Sequence, residues 1–190
     1  TRLAIRSGPA LTPIAFADAI GDYLLSVGTT AAVFVRADTD AELHAELVGR
    51  GYTEYARSPE MVCDARLDDR PPPKGVTVRL ATTPADVRAY AEIAGHAFRH
   101  LAFPEDITRA TIDHPDLMLD PKVAIALAEI DGRPVAGAAA FLVGEAGDGY
   151  VGWVACLDDA RGSGLGDVVT RRVTNEAFDR LFGGPPRRPE

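Results

Sequence analysis

The chain has 190 residues and 20.2 kDa, 46% of them hydrophobic and 25% charged, a balance that supports a buried core and excludes disorder of the whole chain. Its 20 basic and 28 acidic residues leave a net charge of −8, so a partner read through its phosphates is disfavoured and no nucleic acid is expected. Two cysteines, Cys63 and Cys156, suit neither a disulfide framework nor a local metal motif, and no apolar run reaches the ~18 residues of a membrane span. The start carries no secretory pattern, so a cytoplasmic chain independent of membranes is expected. Thr1 in place of an initiator Met reads as processing or trimming.

In chain order, Thr12-Pro13 reads as an N-cap with proline at the first helical position, and Ile14, Ala17, Ile20 and Leu24 follow at helical spacing up to Gly28. Residues 31–36 read as a strand. Asp38 or Thr39 opens a short helix with Leu43, Leu47 and Val48 that stops near Gly49 or Gly51, and Asp38-x-Asp40 reads as its cap, since the rest of a calcium loop is missing. Residues 52–55 and 59–63 are further strand candidates. A Pro/Asp-rich spacer, residues 67–75, separates this part, residues 1–66, from residues 76–182. Asp64, Asp68 and Asp69 read as a solvated run, and residues 183–190 as a disordered tail.

Past the spacer, Val76-Thr77-Val78-Arg79-Leu80 alternates as a half-buried strand. Thr83-Pro84-Ala85-Asp86 caps a helix carrying Val87, Tyr90, Ala91, Ala94 and Phe98 on one side, and residues 106–112 form a second helix. Residues 123–130 and 135–143 are strands joined at Asp131-Gly132, a tight hairpin signal. Residues 150–157 are a strand, and Leu165, Val168, Val169, Val173 and Ala177 mark one face of a last helix. The order is β-α-α-β-β-β-α.

Chemistry concentrates in Cys156-Leu157-Asp158-Asp159-Ala160-Arg161-Gly162-Ser163-Gly164-Leu165-Gly166, where a strand runs into a glycine-rich turn that opens a helix. Glycines at alternate positions leave backbone N–H groups uncovered, and the helix start adds partial positive charge, so Gly162 to Gly166 can receive an anion. Arg161 can add a charged contact. The spacing is G-x-G-x-G and no Lys-Ser/Thr follows, so both nucleotide-loop fingerprints fail. From these residues alone, a plain glycine turn is the competing reading.

Arg161-x-x-Gly164-x-Gly166 resembles the Q/R-x-x-G-x-G/A motif of the GNAT (Gcn5-related) N-acetyltransferases, and residues 76–180 follow that family's order of elements. The resemblance implies an α/β (α+β) fold with a mixed, mostly antiparallel twisted sheet flanked by helices. It implies that backbone amides of Gly162, Ser163, Gly164, Leu165 and Gly166, beside Arg161, hold the pyrophosphate of acetyl-CoA. Val154, Ala155 and Cys156, on a splayed strand, would pair with the pantetheine. One departure is Asp158, where many members carry proline; this alters the turn rather than the amides. The activity implied is direct transfer of acetyl from acetyl-CoA to a small-molecule or peptide amine, with a strand amide near Val154 or Cys156 stabilising the oxyanion.

Proton handling is less legible. Members of the family often take an acid from a tyrosine in a strand–helix–strand tail, which does not follow the glycine-loop helix here. Residues 31–64 are expected to complete the sheet, within the chain or in a homodimer, which would put Leu47 where the family's tyrosine stands; the rival is that residues 1–66 resemble a partial second GNAT half, with the tail lost by trimming. Tyr150 and Asp148 are the proton-handling candidates. Packing competes as the role of Tyr150, and a CoA-binding sensor without turnover competes with the enzyme. His96 and His100 stand four apart, which could suit a metal; hydrogen-bonded or solvated histidines are preferred, and the resemblance implies instead that they could border the acceptor cleft, walled by Phe98, Leu101, Phe103 and Pro104. Cys156 reads as a small buried hydrophobe, and Trp153, on the opposite strand face, as core.

Overall fold

The computed structural model describes residues 2–4, 12–28, 31–54, 57, 61–99, 104–143 and 148–183. Two compact units divide the chain, Thr1–Met61 and Val62–Glu190.

The first unit runs β1 (Arg2–Ala4), α1 (Pro13–Val27), β2 (Ala31–Val33) and α2 (Ala41–Gly49). β1 and β2 pair in parallel. The Thr12 side chain accepts from the Ala15 N–H at 3.2 Å, Pro13 opens α1, and Gly28 ends it in the left-handed conformation. Phe16, Ala17 and Ile20 of α1 bury against Leu43 and Leu47 of α2.

The end of α2 explains why no strand begins at residue 52. Gly51, at φ +88°, donates to the Val48 carbonyl and Tyr52 donates to the Leu47 carbonyl, each at 3.0 Å. This is a Schellman cap, and Tyr52 packs back on the same cluster as Leu47. The backbone of Tyr52 is thus spent on ending a helix. Residues 52–54 and 61–63 carry no strand, and Tyr55 and residues 58–60 lie outside the described residues. Residues 31–33 pair with residues 2–4 in the first unit's own two-stranded sheet. Leu47 is a core residue of the first unit.

The second unit runs β3 (Val76–Leu80), α3 (Pro84–Phe98), α4 (Glu105–Ile112), a short α5 (Pro115–Met118), β4 (Val123–Ile130), β5 (Arg133–Val143), β6 (Asp148–Cys156), one 3-10 turn (Asp158–Ala160) and α6 (Leu165–Phe182). The sheet order is β3-β4-β5-β6, antiparallel throughout. Asp131 and Gly132 turn the β4–β5 hairpin at φ +51° and +76°, as a type I′ turn demands. Strand alternation then sorts the core into two layers. Ile125 and Leu127 of β4 face Val87, Tyr90, Ala91 and Ala94 of α3. Ala124, Ala126 and Ala128 face Leu165, Val169 and Val173 of α6. Arg79 of β3 joins the layers' ends: its guanidinium meets Asp86 at 2.7 Å and Glu129 at 2.8 Å.

Residues 66–69 are tied to α6. Asn175, 3% exposed, accepts from the Leu67 N–H at 2.9 Å and donates to the Leu67 carbonyl at 3.0 Å and to Asp69 at 3.2 Å. Arg66 pairs with Asp179 at 3.1 Å. Asp69 is therefore engaged rather than simply solvated. Replacing Asn175 by Ala strands both polar groups of Leu67. We expect it to cost about 1–3 kcal/mol in urea denaturation and to speed tryptic cleavage after Arg66.

Candidate functional site

β6 delivers the chain into the glycine loop. The 3-10 turn buries Ala160, and Leu165, 1% exposed, plugs the start of α6 into the core. Between these anchors Gly162 and Gly164 stand at φ +77° and +79°, a region that costs other residues about 1–2 kcal/mol. A Cβ added at either would meet no atom within 4 Å. Gly164 is the N-cap of α6 and supplies no capping side chain, so the first-turn N–H groups face outward without one. Ser163 turns its hydroxyl back to the Ala160 carbonyl. Gly166 lies against Val154, its would-be Cβ 3.9 Å from a Val154 methyl. The loop is a shallow cradle of backbone donors whose side-chain space is open. It suits a diphosphate, which needs several donors and no intervening Cβ.

Upstream, Val154 is exposed, Ala155 buried and Cys156 half-buried. Burial pushes the Cys156 thiol up, which suits a packing residue and opposes a nucleophile. Asp158 is the hub of the charges beside the loop. Its carboxylate meets Arg99 at 2.5 Å, Arg161 at 3.3 Å and His96 at 3.3 Å. The Arg99 guanidinium, with Arg161 and His96 adding to it, holds the Asp158 carboxyl below the usual carboxylate range. Arg161 thus lies along the loop, beside the Cys156 carbonyl at 3.5 Å.

A cleft of about 440 Å³ opens here, lined by Glu92, Ile93, His96, Glu105, Arg133 and Leu157 together with Asp158 and Asp159. Among the described residues, arginines pair with three of these carboxylates: Arg109 with Glu92, Arg99 with Asp158 and Arg133 with Asp159. His100, Leu101 and Phe103 lie outside the described residues, and Pro104 precedes α4. Among the described residues no three His, Cys, Asp or Glu side chains gather as a metal site, and no helix is long and apolar enough to cross a membrane.

The middle of β6 is irregular. Its register with β5 slips between Gly137 and Ala139, so that Trp153 and Val154 together face Ala138, a bulge. Trp153 takes φ +54°, and its ring meets Phe98 edge-on at 5.4 Å. Tyr90 donates its hydroxyl to the Trp153 carbonyl at 2.7 Å. Tyr150 is 56% exposed and stacks on Phe141 at 6.3 Å, covering Gly152. Asp148 starts the strand in solvent. Tyr90 and the bulge escape a reading by helix face and strand alternation. The signal was present in Gly137 and Gly152, glycines inside apolar strands, which mark bulges and close approaches.

A family model described as the acetyltransferase (GNAT) family matches residues 87–185, more than half of the chain. The chain belongs to the GNAT acetyltransferase family. Its four-stranded antiparallel sheet flanked by helices is the fold of GNAT structures. One of these, a GCN5-related N-acetyltransferase from Kribbella flavida, is 25% identical with a TM-score of 0.71; the match covers 94% of this chain and 66% of that one. The present GNAT chain therefore spans about two thirds of that protein's length. A GCN5-related N-acetyltransferase from Ralstonia eutropha JMP134 is 19% identical over 56% of this chain and 78% of its own, with a TM-score of 0.46. A Clostridium acetobutylicum structure, described as a predicted acetyltransferase with acetyl-CoA, is 20% identical over 55% of this chain and 75% of its own, with a TM-score of 0.42. No curated protein matches the chain.

Proposed function

We propose that this GNAT protein transfers an acetyl group from acetyl-CoA to the amine of a small molecule or peptide. The observation that carries the reading is the glycine loop: left-handed glycines with open space above them, at the uncapped start of α6. The amides of Gly162, Ser163, Gly164, Leu165 and Gly166 hold the pyrophosphate, with Arg161 beside them. Val154, Ala155 and Cys156 offer backbone to the pantetheine along the edge of β6. Acetyl-CoA supplies an activated carbonyl and a thiolate leaving group. The chain's part is to bind the acceptor with its amine neutral, to place an amide of β6 where negative charge develops on the carbonyl oxygen, and to return a proton to the leaving sulfur. Asp148 and Tyr150, on the exposed end of β6, are assigned the base and acid roles.

The test is a calorimetric titration of acetyl-CoA into the whole chain, followed by thiol release with a panel of amines. Saturable binding and amine-dependent release are expected. An Asp148→Asn, Tyr150→Phe variant is expected to bind equally and to turn over about 10²-fold more slowly. Unchanged turnover would remove both residues from the mechanism, and absence of binding would remove the function itself. Binding without release for any amine would leave a CoA-responsive binding module.

A further inference from the structure

We propose that Tyr90 is a positioning residue for the transfer step, holding the bulge of β6 so that the Val154 amide is aimed at the acetyl carbonyl. The proposal rests on the acetyl-CoA reading above and adds to it the residue that sets the geometry of the β6 donor.

Three observations converge on it. First, Tyr90 is fully buried on α3 and spends its one O–H on the carbonyl of Trp153, at 2.7 Å. Burial pushes that phenol well above its ordinary pKa, so it stays a donor at any working pH. Second, Trp153 is one of two described non-glycine residues at positive φ, at +54°, and sits where the ladder slips. A bulky residue keeps that conformation only where its surroundings enforce it; the edge-on contact with Phe98 and the Tyr90 hydrogen bond do so. Third, Gly137 on β5 makes the room: a Cβ there would stand 2.6 Å from the Tyr90 ring. The helix, the neighbouring strand and the bulge are thus built around one hydroxyl.

Peptide planarity supplies the consequence. The Trp153 carbonyl and the Val154 N–H belong to one rigid plane and point in opposite directions. Tyr90 takes the carbonyl from the side of α3 and β5, so the Val154 N–H is turned away from them; in the proposal it meets the acetyl carbonyl of the pantetheine assigned to the edge of β6. With the Tyr90 hydroxyl removed, that plane loses what fixes its rotation.

The experiment uses the whole chain with acetyl-CoA carrying 13C at the thioester carbonyl, and CoA itself as the control ligand. In the wild type the bound carbonyl resonance is expected downfield of the free one, as hydrogen bonding to it requires. Tyr90→Phe keeps the ring and is expected to lose most of that displacement while binding CoA within about twofold of the wild type. Where an amine is found to turn over, kcat should fall roughly tenfold with KM nearly unchanged, less than the ~10²–10³ of deleting an oxyanion donor outright. A Tyr90→Phe carbonyl still displaced downfield would overturn the proposal. So would wild-type acetyl-CoA binding with no displacement, an outcome that leaves the binding function standing. No binding of either ligand by the wild type would sink the function and the proposal together. Should Tyr90→Phe fail to bind CoA, Gly137→Ala, which keeps the hydroxyl and displaces the ring, carries the same comparison: a retained displacement overturns the proposal, and its loss with CoA affinity intact supports it.

Discussion

Gly164→Glu is expected to abolish acetyl-CoA binding and leave the fold standing. The backbone at residue 164 lies at φ +79°, so any side chain costs about 1–2 kcal/mol there. No atom lies within 4 Å of the added Cβ, so no packing penalty follows. The new carboxylate projects from the N-cap of α6, where the pyrophosphate is assigned, and like charge then meets like charge in the cradle. A loss of more than roughly 100-fold is expected, at ~1.4 kcal/mol per tenfold. Melting gives an independent reading. Acetyl-CoA at about 100 times its dissociation constant should add ~2.7 kcal/mol to the wild type and nothing to the variant. Gly164→Ala separates the contributions: it carries the strain without the charge and should weaken binding far less. If Gly164→Glu bound within about fivefold of the wild type, the pyrophosphate could not be at this loop.

The second large effect belongs to Asp86, where cap, sheet and helix meet. Its carboxylate accepts from Arg79 at 2.7 Å and from the N–H groups of Thr82 and Thr83, both at 2.9 Å, while its own N–H donates to the Thr83 hydroxyl at 3.2 Å. These bonds complete a capping box that starts α3, and Arg79 carries the charge on to Glu129. Asp86→Ala removes an acceptor for two backbone donors and leaves Arg79 with one partner fewer. We expect a loss of about 2–4 kcal/mol in urea denaturation at neutral pH. The Arg79 guanidinium first, then the Thr82 and Thr83 donors, hold the Asp86 carboxyl well below the usual carboxylate range. The folded pKa is below the unfolded one, so this stabilisation is fully present above the unfolded value of about 3.9 and is lost as pH falls toward the folded value. The wild type should therefore lose stability more steeply below about pH 4 than Asp86→Asn. Parallel acid limbs for the two proteins would show that Asp86 does not govern that range.

Much of the second unit was legible because its signals are local. Thr83-Pro84 with Asp86 three residues past the cap is a helix start whatever surrounds it. Asp131-Gly132 between two apolar runs is a hairpin because few residues tolerate two successive left-handed conformations. The glycine loop was legible for the same reason: Gly162 and Gly164 occupy positive φ, and Arg161, Gly164 and Gly166 stand at the spacing of the motif. The family follows from that spacing together with the order of elements.

Local signals misled at Tyr52, where an aromatic next to threonine reads as strand. The competing pattern was Gly51 ending α2, and the cap prevailed because Tyr52 can bury on Leu47 only by folding back. They also understated residues 66–69, whose proline and aspartate content describes a spacer but not the Asn175 side chain that receives it.

The sequence by itself determined most helices and strands of the second unit, where they turn, and that a glycine-rich loop opens α6, since each depends on residues a few positions apart. Only the tertiary structure decided what surrounds the cradle: the Asp158 hub reaching to Arg99, 59 positions away, and the Tyr90 hydroxyl on Trp153, 63 positions away. Such contacts join separate elements across a sheet. Their partners are selected by register, by a bulge and by the space left at one glycine, none of which is written in the periodicity of any single element.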